Sequence, residues 1–154
     1  MLAARSEAVC YHQGMSLAAK QAALIEDLNF LPDAQERLAE VVRRGSRHRL
    51  PEDAKVEPNR VEGCVSKVWL RGEWAGGTLS FSCDAESPMV KGLAALLCDL
   101  YSGATPAEVV AVEPQLWQAC GLHKMLSPTR LNGLAALRAK IRAFALINAS
   151  AASQ

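Results

Sequence analysis

A single run of alternating residues, Thr78-Leu79-Ser80-Phe81-Ser82-Cys83, lies between two tracts whose apolar residues recur at three- and four-residue intervals. A period of two demands a strand with one covered face, whereas the flanking period demands helices. Leu79, Phe81 and Cys83 share the inward face. One strand cannot satisfy its own backbone, and the preceding Val65, Val68, Trp69 and Leu70 supply the partner. The spacing predicts an antiparallel hairpin of Cys64 to Arg71 with Thr78 to Cys83, turning through Gly72 to Gly77. Two strands alone are marginal, so the Asn59 to Glu62 flank is a candidate third strand and a helix is expected beneath the sheet. Helices, a small antiparallel sheet, then helices define an α+β class, not a parallel α/β fold.

The helices announce their starts. Ser16 can cap a helix from Leu17 to Asn29, with Leu17, Leu24, Ile25 and Leu28 on its apolar face. Asp33 and Glu36 have capping-box spacing before Leu38, Val41 and Val42, and Gly45 ends that stripe. Ser87-Pro88, Thr105-Pro106 and Ser127-Pro128 each place a cap before a proline at the first helical position. The first of these opens the widest apolar face, Met89, Val90, Leu93, Leu96, Leu97 and Leu100, and is the expected central helix. The second opens a short helix to about Val112, Glu113-Pro114 opens another that Gly121 closes, and the third opens a terminal helix. Ser46 to Asn59 has little periodicity and reads as an exposed connection. Its Arg47, His48 and Arg49, with Arg43 and Arg44, make a basic patch that reads as a solvated helix end or as a docking surface for an acidic partner.

Among 154 residues, 17 Lys and Arg against 16 Asp and Glu give a net charge of +1, which argues against general affinity for nucleic acid or membrane. No apolar run reaches the roughly 18 residues of a membrane span. One domain is expected over residues 15–147, with residues 1–14 a disordered or misassigned extension and 148–154 a flexible tail. Five cysteines, Cys10, Cys64, Cys83, Cys98 and Cys120, contain no CxxC pair and are odd in number. Neither a zinc ribbon nor a full disulfide framework is indicated, and a reducing, cytoplasmic compartment is the simplest expectation. Cys83, Cys98 and Cys120 fall on core faces, whereas Cys64 follows a glycine at the entry to a strand, where a thiol can be presented from a loop. Taken locally, Cys64 reads first as a small buried hydrophobe and second as a nucleophile.

Three stretches change that balance. Val61-Glu62-Gly63-Cys64-Val65-Ser66-Lys67-Val68-Trp69, then Asp84-Ala85-Glu86-Ser87-Pro88-Met89-Val90-Lys91-Gly92-Leu93, then Leu126-Ser127-Pro128-Thr129-Arg130-Leu131-Asn132-Gly133-Leu134 together resemble the SufE family of sulfur-acceptor proteins, in the family's order and over most of the chain. The resemblance implies a fold related to the U-type iron–sulfur scaffolds. It also implies one working cysteine that takes persulfide sulfur from a partner cysteine desulfurase, stimulates that enzyme, and passes sulfur toward iron–sulfur cluster assembly. That cysteine maps onto Cys64. The family's Ser-Arg pair reads Thr129-Arg130 here, so Arg130 is carried over as a cation near the thiol or at the docking face; Lys67 is a second cation candidate. Asp84 and Glu86 keep an acidic helix start and are docking candidates, although Ala85 and Pro88 depart from the usual pattern. The implied chain carries no metal or cofactor and is not itself an enzyme; pyridoxal phosphate belongs to the desulfurase. The implied partners are that donor and a scaffold or other recipient, with the chain a monomer or weak homodimer.

Two other classes compete. A cluster scaffold needs several convergent soft ligands, and three of the cysteines are expected in the core. A cysteine hydrolase needs a base, and His12, His48 and His123 have no nucleophile–base context.

Overall fold

The computed structural model describes residues 14–152. Apart from Gly14, the expected N-terminal extension, with Cys10 and His12, lies outside them. Six α-helices and one two-stranded antiparallel sheet follow in the order α1 (Leu17–Asn29), α2 (Ala34–Gly45), β1 (Val68–Ala75), β2 (Thr78–Ala85), α3 (Pro88–Tyr101), α4 (Pro106–Ala111), α5 (Leu116–Ala119) and α6 (Pro128–Ala152). The class is the α+β arrangement that the alternation predicts.

The caps behave as their chemistry requires. Ser16, Asp33, Ser87 and Thr105 each accept a hydrogen bond from a backbone N–H three residues on, and Thr105 with Glu108 completes a reciprocal capping box. Helix α3 is the centre of the molecule. Its Leu93, Leu96, Leu97 and Leu100 are buried between the sheet and the surrounding helices, each contributing about 1.5–3 kcal/mol of transfer free energy. Helix α2 crosses it so closely that Gly45 and Gly92 meet backbone to backbone; a Cβ on Gly92 would lie 2.8 Å from Val42 Cα.

The hairpin differs from the sequence expectation at both ends. Strand β1 starts at Val68, not at Cys64, and continues through Gly72 to Ala75, leaving a turn of two residues, Gly76 and Gly77. Both have positive φ, 61° and 87°, which is what a tight hairpin turn needs, so the chain has no use for a six-residue connection. Gly72 is a packing notch instead: Phe144 of α6 lies over it, and a Cβ there would stand 2.8 Å from the ring. The Asn59–Glu62 flank forms no third strand. It contributes one bridge, Arg60 opposite Trp69, and one hydrogen bond from the Val61 N–H to the Val68 carbonyl at 2.9 Å. Helix α3 takes the place of further strands as the cover for the sheet.

The connection from Ser46 to Asn59 is also more ordered than an exposed loop. Two 3₁₀ turns, Glu52–Ala54 and Glu57–Asn59, run through it, and Leu50 and Ala54 are buried. Of the basic patch, Arg43 and Arg44 at the end of α2 bind Glu40, Arg44 also binds Asp27, and within the connection His48 Nε2 lies 2.9 Å from Asp99 Oδ1. A further 3₁₀ turn, Leu122–Met125, follows the left-handed Gly121. Helix α6 continues to Ala152, so the segment from residue 148 is helical through its described part.

Candidate functional site: a loop thiol over an apolar cleft

Gly63, at φ 92°, turns the chain out of the Val61 bridge and hands Cys64 to a loop ahead of β1. From there exposure alternates: Cys64 and Ser66 are half-buried, Val65 is 86% exposed, Lys67 is exposed and Val68 is buried. Cys64, Ser66 and Val68, with the exposed Val65 beside them, line a cleft of about 270 Å³ between α3 and the first turns of α6. Val90 and Leu93 form one wall, and Leu134 and Leu137 form the other.

The sulfur has a defined seat. Cys64 Sγ donates to the Gly133 carbonyl at 3.5 Å, and a Cβ on Gly133 would approach Sγ to 3.1 Å. A glycine inside a helix costs about 0.5–1 kcal/mol relative to alanine, and here its lack of a side chain makes room for the thiol. That cost is the signal by which sequence reasoning could have singled out Gly133. Burial pushes the Cys64 thiol above its ordinary pKa, and no nearby cation offsets it. The resting group is therefore a guarded thiol, not a thiolate.

The other candidates separate into two groups. Arg130 lines the cleft near its mouth, with its backbone N–H bonded to the Ser127 cap. Lys67 is exposed and does not line the cleft; its carbonyl accepts from the Glu86 N–H at 3.1 Å, tying the cysteine loop to the start of α3. Glu86 is exposed. Asp84 is not a surface group: it is 7% exposed and accepts from the Leu50 and Ala85 N–H groups at 3.1 and 2.9 Å. The ammonium groups of Lys55 and Lys91 each lie 3.4 Å from it. Burial alone would raise its carboxyl, but the two N–H donors and the two lysines hold it below the ordinary carboxylate value. Its place is that of a clip joining the 46–59 connection, β2 and α3.

Cys83, Cys98 and Cys120 are fully buried in the core, as their positions on apolar faces predict. Among the described residues no group of three or more His, Cys, Asp or Glu side chains converges as a metal site. No described helix is long and apolar enough to cross a membrane.

Fold and site together define a small α+β domain that presents one loop thiol above a cleft between two helices. Residues 22–145 match the SufE family, described as an Fe-S metabolism associated domain, and the chain belongs to that family. An uncharacterized SufE-like protein of Rhizobium etli is 33% identical over 134 residues, covering 83% of this chain and 90% of that one. A second, from Synechocystis, is 39% identical over 82 residues, 53% of this chain and only 52% of the relative. A chloroplastic and mitochondrial SufE-like protein of Arabidopsis thaliana is 41% identical over 52% of this chain and 22% of its own length. In structure, the chain resembles a hypothetical protein from Thermus thermophilus solved in solution, with TM-score 0.71, 24% identity, and coverage of 84% and 96%.

Proposed function

We propose that this protein is a sulfur acceptor in iron–sulfur metabolism, taking persulfide sulfur onto Cys64 from a cysteine desulfurase, stimulating that enzyme and delivering the sulfur for cluster assembly. The observation that carries the reading is the seat of Cys64. Of the four described cysteines it alone lies outside the core, and its sulfur rests on Gly133 over an apolar cleft.

Such a seat suits a group that must meet one partner and avoid other thiols. In the exchange, the Cys64 thiolate attacks the outer sulfur of the donor's persulfide. The sulfur–sulfur bond of the donor breaks, its cysteine leaves as thiolate, and Cys64 becomes the persulfide. No net oxidation occurs. The chemistry needs no metal or cofactor on this chain, because the carbon–sulfur bond of cysteine is broken on the partner, where pyridoxal phosphate acts as the electron sink. Docking then has two tasks: to lift the sulfur from Gly133, and to supply the polar surroundings that let the proton leave. Arg130, at the cleft, is the cation placed to contribute. Glu86 remains a candidate for the docking face, and Lys67 for its edge.

The test is direct. The protein is incubated with a cysteine desulfurase and cysteine without reductant, and peptide mass spectrometry locates added sulfur. The expected result is sulfur on Cys64 and loss of both sulfur uptake and desulfurase stimulation in Cys64→Ser. Equal loading of that variant would refute the assignment.

A further inference from the structure

The cleft beneath Cys64 contains hydroxyl groups, and they are not equivalent. Ser87 and Ser127, on its walls, each accept a backbone N–H, from Val90 and Arg130, and so act as helix caps. Ser66 has no such task. The residue lines the same cleft, and its Oγ is buried with no hydrogen-bond partner among the described residues. A buried hydroxyl left unpaired costs about 1–3 kcal/mol, so an orphan beside the working thiol asks for a partner that arrives later.

We propose that Ser66 is the hydrogen-bond donor for the terminal sulfur of a Cys64 persulfide. The inference rests on the sulfur-acceptor reading and adds to it the residue that holds the cargo. Cys64 and Ser66 are both half-buried on either side of the exposed Val65, and both line the cleft. In the unloaded protein the Gly133 carbonyl takes the thiol proton. A perthiolate has no proton to give that carbonyl and needs a donor in a cleft walled mainly by apolar side chains. Of the hydroxyl residues lining it, Ser66 is the one whose oxygen is buried with neither a donor nor an acceptor as partner, so its proton is uncommitted. By donating to the anion it favours the ionised persulfide, a poorer target for stray thiols than the protonated form, and so holds the cargo until a recipient thiolate attacks the outer sulfur and Cys64 leaves as thiolate.

The experiment avoids dependence on any donor enzyme. Wild type, Ser66→Ala and Ser66→Thr are loaded with inorganic polysulfide, in which the Cys64 thiolate takes one sulfur and leaves a polysulfide shorter by one. The perthiolate is followed by its near-ultraviolet absorbance against pH, with loaded Cys64→Ser as the blank. Removing the donor is expected to move the ionisation midpoint up by about one pH unit, a tenfold change, with the threonine variant restored toward wild type. An unchanged midpoint in Ser66→Ala overturns the proposal. So does a shift that accompanies faster alkylation of the unloaded thiol and is not rescued by threonine, because that pattern reports a displaced loop. Failure of a desulfurase to load Cys64 would count against the sulfur-acceptor reading alone, since the polysulfide titration stands without it.

Discussion

Replacing Gly133 with alanine separates the seat of the sulfur from the stability of the fold. The added Cβ would lie 3.1 Å from Cys64 Sγ, a few tenths of an ångström inside comfortable contact. Overpacking of this kind typically costs about 1–3 kcal/mol, while alanine returns about 0.5–1 kcal/mol to a helix that held a glycine. The two effects fall on different equilibria. The helix gain belongs to folding, whereas the clash belongs to the seated loop, which has an open side where Val65 is exposed and can move without unfolding. If the seat loses about 1.4 kcal/mol, the ratio of released to seated loop rises tenfold, and the exposed population rises by the same factor while most loops stay seated. Cys64 alkylation by iodoacetamide at neutral pH should then accelerate by roughly that factor, with a melting temperature within a few degrees of wild type. The pH profile gives an independent reading. Burial holds the wild-type thiol above its ordinary pKa, so its alkylation keeps rising beyond the midpoint of a free thiol; in Gly133→Ala that midpoint should fall back. A variant that melts like wild type yet alkylates at the same rate with the same profile would refute the seat.

Two further substitutions test the frame that holds the site. Gly92→Ala has nowhere to go, because its Cβ would meet Val42 Cα at 2.8 Å and the Val41 carbonyl oxygen at 2.9 Å, both backbone atoms. A loss of about 3 kcal/mol or more is expected in urea unfolding, and a loss below about 1 kcal/mol would mean that α2 and α3 separate easily. Asp84→Asn leaves one of two N–H donors unpaired and removes the counter-charge from Lys55 and Lys91, for an expected loss of about 1–3 kcal/mol at pH 7. The carboxyl is depressed in the fold, so its contribution is fully present above the unfolded value near 3.9 and disappears as pH falls through the lower folded value. Urea midpoints measured from pH 6 downward should therefore show a smaller acid loss in the variant, and identical curves would contradict the clip.

The sequence was most informative where one residue carries a local rule. The Ser16 cap marks Leu17–Asn29, and Ser87 with the proline after it marks Pro88–Tyr101, without any knowledge of tertiary contacts. The hairpin was harder, because Gly72 looks like punctuation; only the ring of Phe144, 72 residues later in the chain, makes it a strand residue. The same limit applies to the site. Cys64 could be singled out by its neighbours and by the ordered motifs, and Arg130 is among the residues that line the cleft. Asp84 was read as a docking acid because sequence shows charge but not burial, and its four partners come from the 46–59 connection, the residue beside it and α3. Gly133 and Ser66 lay within quoted motifs without a role, since a seat and an unpaired hydroxyl exist only once α6 meets the loop.

The site joins two properties that oppose each other in an isolated thiol. A nucleophile gains from being ionised and exposed, and a carried sulfur gains from being neutral or shielded. A fixed exposed cysteine would satisfy the first at the expense of the second. On the sulfur-acceptor reading, the balance is set by the loop that carries Cys64 and by the few contacts that seat its sulfur. Leaving the seat costs a thiol–carbonyl hydrogen bond, weaker than the ordinary net value of about 0.5–1.5 kcal/mol because sulfur is a poor donor, together with partial exposure of one small side chain. Val65 sits beside Cys64 at 86% exposure, and burying a valine fully is worth about 1.5 kcal/mol or more. A partner that covers Val65 gains in binding, and it turns the sulfur outward only to the extent that it makes better contacts with the released loop than with the seated one. The sulfur-acceptor proposal then asks for movement of this loop alone, because the seat is a single hydrogen bond to Gly133 and the loop's other side is open at Val65.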